Sequence, residues 1–327
     1  MKIVICDHKE SLDRDVEAEI AMFKQQLGEE TNVIVHEFNG DKEALKVALK
    51  DADGVMTSYV EFDDDILSSC QLKGISINAT GYNYVDIASA QKNNTHVAVI
   101  SEYCTQEVSE HAMSLCLAVA RNLKAYTRSI EVDKKYSFNC VEGMFRIEGS
   151  KFGIMGLGKI GKALARKAQG CGMKVIAFSP SCSEVEAKQL GIDLVDKTTL
   201  LENSHFICLT MSLNESNINI LDKKAFASMK NRPIIVNVSR GQMIDESALI
   251  EALDQNKIFG AGLDVLVDES DRYISNSDLV GRDNVIITPH AAFYSDFSMH
   301  ENQRIGVSNL VNILTEKYSE VTRLVNP

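Results

Sequence analysis

The sequence predicts an α/β protein of two domains, each built on a parallel sheet wrapped by helices. Three observations predict this class. The chain has 327 residues, too many for one ordinary hydrophobic core and about right for two domains. Short apolar runs alternate with segments of helical periodicity, the pattern of strand–helix–strand units that build parallel sheets. The alternation then restarts near residue 151, where a glycine-rich turn separates a strand from a helix.

In the first series, the runs at 3–6, 32–36, 54–57, 75–78 and 96–100 read as strands. Helical spacing fills 11–27, 42–49, 63–70 and 85–92 between them, so a first domain ends near residue 100. A helix is expected over 104–123, CTQEVSEHAMSLCLAVARNL, with Thr105 as its N-cap. It is apolar on more than one face and is expected to pack between domains. Within it, His111 reads as a packed helix residue rather than a ligand. Residues 133–143 form a polar, turn-rich crossing. The second series places strands at 152–155, 174–178, 205–210, 233–238, 258–263 and 285–287, and Pro233 opens its strand, where a missing N–H is tolerated. A long helix over 298–314 closes the chain. The sequence shows neither solenoid repeats nor a low-complexity tract.

The composition is that of an ordinary globular chain, 45% hydrophobic and 24% charged, with a formal net charge of −12. Such a surface repels nucleic acid and anionic membranes, so neither is expected as a partner. It says nothing against a small anion in a local basic pocket. The eight cysteines have no C-x-x-C spacing, which argues against a zinc site and a disulfide framework and for a reducing compartment, hence a cytoplasmic location. MKIVICDHKE reads as a first strand, not a leader, and no apolar run reaches membrane-spanning length.

The turn is Gly156-Leu157-Gly158-Lys159-Ile160-Gly161. A G-x-G-x-x-G run is weak alone, but here it sits between a strand and a helix in a βαβ unit, the context of a dinucleotide site. Gly156 permits the tight turn, Gly158 lets backbone approach a pyrophosphate, and Gly161 lets helix and strand close up. The next strand should end on an acidic residue that holds the ribose hydroxyls of NAD; Ser179 stands there instead. The barrier to the 2′-phosphate of NADP is thus removed, yet no Arg or Lys follows to attract it. NAD and NADP both remain open.

Four blocks, the glycine loop among them, carry a resemblance. EVSEHAMSLCLAVARNL, the glycine loop, MKNRPIIVNVSRGQMIDESALIEAL, and GAGLDVLVDE with ITPHAA together resemble the D-isomer-specific 2-hydroxyacid dehydrogenase family over nearly the whole chain. The resemblance implies two doubly wound, flavodoxin- and Rossmann-like parallel-sheet domains with the active site in the cleft between them. Residues 1–100 plus 296–327 would form the substrate (catalytic) domain and 101–295 the dinucleotide-binding domain. It implies a homodimer that takes a small 2-oxo or 2-hydroxy acid. The catalytic arginine falls on Arg240, the glutamate on Glu269 and the histidine on His290. Asp264 matches the residue that contacts the nicotinamide carboxamide, and Thr210 lies on the strand end facing the cofactor. The run NATGYNYVD is similar to the loop whose N–H groups hold the substrate carboxylate, which assigns Thr80, Gly81 and Tyr82. There are departures: Ser270 stands where a proline is common, Met211-Ser212 replaces an x-Pro pair, and Ser179 replaces the ribose acid.

The residues suit that chemistry. Reducing a 2-oxo acid needs a hydride source, a carboxylate anchor, a polarised carbonyl and a proton. The planar guanidinium of Arg240 fits a carboxylate. His290 can donate or accept a proton near neutrality, and Glu269 can fix its tautomer. Tyr59, Tyr82, Tyr84, Phe293 and Tyr294 are candidates for shaping the side-chain pocket, and no basic cluster beside NATGYN points to a phosphorylated substrate. A competing reading is a nucleotide-sensing binding protein of corepressor type; another is a phosphoglycerate- or hydroxypyruvate-type dehydrogenase.

Overall fold

A computed structural model describes residues 1–326. The chain divides into two compact units, residues 1–103 with 295–327, and residues 104–294. The first unit runs β1 (Lys2–Asp7), α1 (Val16–Leu27), β2 (Asn32–Glu37), α2 (Lys42–Leu49), β3 (Gly54–Thr57), α3 (Asp64–Ser69), β4 (Gly74–Ile77), α4 (Ile87–Lys92) and β5 (His96–Val99). The second runs α5 (Thr105–Ala120), α6 (Leu123–Glu131), β6 (Lys151–Met155), α7 (Lys159–Gly170), β7 (Lys174–Phe178), α8 (Glu184–Gln189), β8 (Asp193–Leu194), α9 (Lys197–Asn203), β9 (Phe206–Leu209), α10 (Lys223–Ser228), β10 (Ile234–Asn237), α11 (Glu246–Asp254), β11 (Gly260–Leu263), α12 (Asp271–Ile274) and β12 (Val285–Ile287). The closing helix α13 (Asp296–Leu314) belongs to the first unit.

Both sheets are parallel throughout. The first has order β2-β1-β3-β4-β5, the flavodoxin-like arrangement; the second has order β12-β11-β10-β9-β6-β7-β8, the Rossmann order with one strand added at an edge. The doubly wound fold class expected from the sequence is therefore the one observed. Strands buried on both faces alternate their side chains between two cores. In β1, Ile3 and Ile5 join Phe23 and Leu310, while Val4 and Cys6 join Leu45 and Ile75. In β9, Phe206 and Cys208 pack with α5, and Ile207 and Leu209 face the opposite layer. Buried Cys6 is a small hydrophobe here: burial, reinforced by Asp7, pushes its thiol up to about 12.

Aspartate starts many of the helices. Asp15, Asp41, Asp63, Asp86, Asp196, Asp222 and Asp245 each accept a backbone N–H from the first turn. Each such cap is worth about 1 kcal/mol, so part of the acidic surplus has a structural use. Three expectations are corrected. The first helix starts at Val16, because Asp15 caps it and residues 9–11 form a separate 3-10 turn. The expected 104–123 helix ends at Ala120, and a further helix that was not foreseen, α6, starts beyond Asn122, which takes a left-handed φ of 49°; Thr105 is the first helical residue of α5 and Cys104 occupies the cap position. The two-residue edge strand β8 was not foreseen, being too short for a periodic signal.

Candidate active site

Every functional residue expected in the second unit lies at or just beyond the carboxyl ends of its parallel strands. The chain winds one way from β6 through β7 to β8, and the other way from β9 to β12. The switch point lies between β6 and β9, where an open α/β sheet binds ligands. Gly156 to Gly161 leave β6 at that point. Gly156 has φ 102°, and its N–H donates to Phe178 O at 2.9 Å. A Cβ on Gly161 would stand 2.2 Å from Gly156 O, so only glycine allows α7 to start this close. Gly158 is the N-cap of α7, exposed, and a Cβ there would meet nothing within 4 Å. Lys159 and Ile160 form the first turn, where a helix presents N–H groups and partial positive charge.

Two side chains brace this loop. Ser179, buried at the end of β7, accepts the Leu157 N–H at 3.0 Å. Thr210, just past β9, donates its hydroxyl to Gly156 O at 2.6 Å. The residue that replaces the ribose acid therefore has a structural task in tying two strand ends together. The open space at Gly158 and the helix start fit the pyrophosphate of a nicotinamide dinucleotide.

Arg240, Glu269 and His290 converge on one open depression of about 560 Å³, lined also by Gly241, Gln242, Leu266, Val267 and Asp268. The N-x-x-R-G run explains how Arg240 arrives there. Asn237, fully buried at the end of β10, donates from its amide to Arg240 O at 2.9 Å and accepts Ser239 N at 3.0 Å. Ser239 hangs on Leu209 O at 3.0 Å. A Cβ on Gly241 would lie 2.0 Å from the Leu266 carbonyl carbon, so this glycine lets the arginine turn press against the loop that carries Glu269. Arg240 itself is exposed, and its Nη1 donates to Ser239 O at 2.7 Å.

His290 follows β12 through Thr288 and Pro289. Its Nδ1 lies 3.0 Å from Glu269 Oε2, and both side chains are about half exposed, at 42% and 46%. Phe293 stands edge-on to the imidazole, with ring centroids 6.5 Å apart. Asp264, whose side chain is 1% exposed, lies beneath: it accepts Thr288 Oγ1 at 2.6 Å, Ala291 N at 2.9 Å and Ala292 N at 3.0 Å. His111 on α5 reaches the same Thr288 hydroxyl at 2.9 Å, a contact that its reading as mere packing missed. A second cavity, of about 500 Å³, shares Glu269 and His290 with Lys124, Leu266, Ile274 and Val280. Burial holds the Lys124 ammonium below its ordinary value, and it donates to Arg282 O and Val285 O at 2.8 and 2.7 Å, fixing the approach to β12.

In the first unit, Thr80 and Gly81 are exposed and Tyr82 half-buried, on the loop after β4. Tyr59 and Tyr84 stack edge to face at 5.7 Å, and the Arg323 guanidinium covers Tyr82. Among the described residues, no group of three or more His, Cys, Asp or Glu could hold a metal ion, and no helix is long and apolar enough to cross a membrane.

Fold and site together define a nicotinamide-dependent oxidoreductase of the 2-hydroxyacid class. Comparison with known proteins gives the family: residues 113–292 match the model of the D-isomer specific 2-hydroxyacid dehydrogenase, NAD binding domain, and the chain belongs to that family. It is 34% identical over 254 residues to D-lactate dehydrogenase of Escherichia coli (strain K12), covering 74% of this chain and 76% of that protein. It is 34% identical over 271 residues to glyoxylate reductase of Thermococcus litoralis, covering 80% and 79%. The solved structure of D-2-hydroxyisocaproate dehydrogenase shares the fold over 100% of both chains, with TM-score 0.86 at 24% identity.

Proposed function

We propose that this chain reduces a 2-oxo acid to the D-2-hydroxy acid, reversibly, with NADH or NADPH. The observation that supports it most is the convergence of Arg240 with the Glu269–His290 pair on one depression. Arg240 would hold the substrate carboxylate with one edge of its guanidinium and polarise the 2-oxo group with another. His290 would give its Nε2 proton to the carbonyl oxygen as the hydroxyl forms, and take it back in the reverse direction. Glu269, on Nδ1, keeps Nε2 turned toward the substrate. Gly156 to Gly161, with Ser179, Thr210 and Asp264, would hold the dinucleotide, which would supply the hydride when bound. Family membership supports assigning Thr80, Gly81 and Tyr82 to the substrate carboxylate.

The test follows nicotinamide absorbance with each cofactor against pyruvate, glyoxylate, hydroxypyruvate, 2-oxoisocaproate, phenylpyruvate and 3-phosphohydroxypyruvate. Turnover of an unphosphorylated oxo acid is expected; silence across the panel with cofactor still bound would overturn the reading in favour of a nucleotide-sensing role. We also infer a homodimer, supported by the exposed apolar side chains Ile130, Val132, Tyr136 and Phe138, and checked by sedimentation. All eight cysteines are free, which supports placing the protein in the reducing cytoplasm.

A further inference from the structure

We propose that His111 and Thr288 are positioning residues for His290, acting through Asp264 as one hydrogen-bonded chain. The inference rests on the catalytic reading of His290 given above. His290 has a φ of 52°, a left-handed conformation that a side-chain-bearing residue adopts at a steric cost. Something must hold it there, and Asp264 does. Its backbone O accepts the His290 N–H at 2.8 Å, and its carboxylate accepts the next two, Ala291 N at 2.9 Å and Ala292 N at 3.0 Å. Three successive N–H groups thus end on one residue.

The carboxylate must in turn be kept from rotating. Thr288 Oγ1 lies 2.6 Å from Asp264 Oδ1. A carboxylate only accepts, so the single hydroxyl proton of Thr288 lies in that contact. The 2.9 Å contact from Thr288 Oγ1 to His111 Nε2 must then be donated by the imidazole, which places a hydrogen on Nε2. The same nitrogen stands 3.5 Å from Asp264 Oδ1. His111 belongs to α5, whose Ala112, Leu115 and Cys116 are buried in the core of the unit. The chain therefore runs from a rigid helix, 177 residues away in sequence, to the turn that aims the acid–base group.

The test compares Thr288→Val, which keeps shape but removes the hydroxyl, with Thr288→Ser, which restores it. His111→Leu is compared with His111→Gln, whose amide can donate from nearly the same point. Steady-state kinetics on a 2-oxo acid, NADH affinity by its fluorescence, and the ring carbon resonance of His290 are read for each. That resonance is identified by its loss in His290→Gln. Thr288→Val and His111→Leu should each lower kcat about 10- to 100-fold, the cost of a misplaced reacting group. KM and NADH affinity should stay within about threefold, and the His290 resonance should move. Serine and glutamine should recover most of the loss, and the double variant should be no worse than Thr288→Val alone, because both break one chain. Wild-type kcat in both single variants, an unmoved His290 resonance, or multiplicative losses in the double variant would overturn the proposal. Should Thr288→Val fail to fold, the His111 pair decides alone. Should the wild type reduce no 2-oxo acid, the catalytic reading has failed, and the resonance comparison alone decides whether the chain positions His290.

Discussion

A lone histidine past a strand carries no message; its neighbours make it a candidate. His290 matters because Glu269 lies on Nδ1 and Arg240 shares its depression. Replacing Arg240 by Lys keeps the charge but loses the fork, so KM for the oxo acid should rise at least about tenfold and kcat should fall; an unchanged KM in steady-state assays would remove Arg240 from the substrate site. At Ser179, an Asp could still accept the Leu157 N–H with one oxygen and offer the other to the ribose hydroxyls. Ser179→Asp should therefore shift kcat/KM toward NADH over NADPH by about tenfold or more, and an unshifted ratio would mean that the ribose is recognised elsewhere. The three residues assigned to catalysis were legible because they stand in short runs of recognisable type. Asn237, Thr288 and His111 were not, since each acts by a hydrogen bond whose partner the sequence does not reveal, and in the case of His111 that partner is on a distant strand end.

At the scale of elements, the glycine loop is a packing solution as much as a binding motif. Gly161→Ala would put a methyl group 2.2 Å from Gly156 O, forcing α7 away from the loop. Cofactor affinity should fall at least about tenfold and stability by about 1–3 kcal/mol, the usual cost of overpacking, as read by NADH fluorescence titration and denaturant melts. Strands such as β1 and β9 were legible because continuous apolar runs bounded by turns signal doubly buried parallel strands. Helix α6 and strand β8 were not. α6 restarts the helical path just past one left-handed residue, Asn122, and β8 pairs over only two positions.

At the scale of the molecule, the first unit is assembled from both ends of the chain. α13 lays Val307, Leu310 and Leu314 over Ile3, Ile5 and Met56, and Gln303 donates to Glu19 at 3.1 Å. Beneath it, Arg14 bridges Asp7 at 2.9 Å and Glu19 at 2.7 Å, with all three side chains at 8% exposure or less. Arg14→Met would leave two buried carboxylates without their cation, so unfolding free energy should drop by about 3–5 kcal/mol; a loss below about 1 kcal/mol in urea melts would show that the network is not buried in solution. No motif announces this cluster, because Asp7, Arg14 and Glu19 look like ordinary surface charges until α1 folds over β1.

The central claim, that His290 moves the proton in reduction of a 2-oxo acid, is tested most directly by a single-turnover experiment. Enzyme loaded with reduced cofactor is mixed with the preferred oxo acid, for the wild type and for His290→Gln. The wild type should oxidise one cofactor per site, while His290→Gln binds the cofactor equally well and reacts at least about 100-fold more slowly. Equal rates in the two proteins would contradict the account.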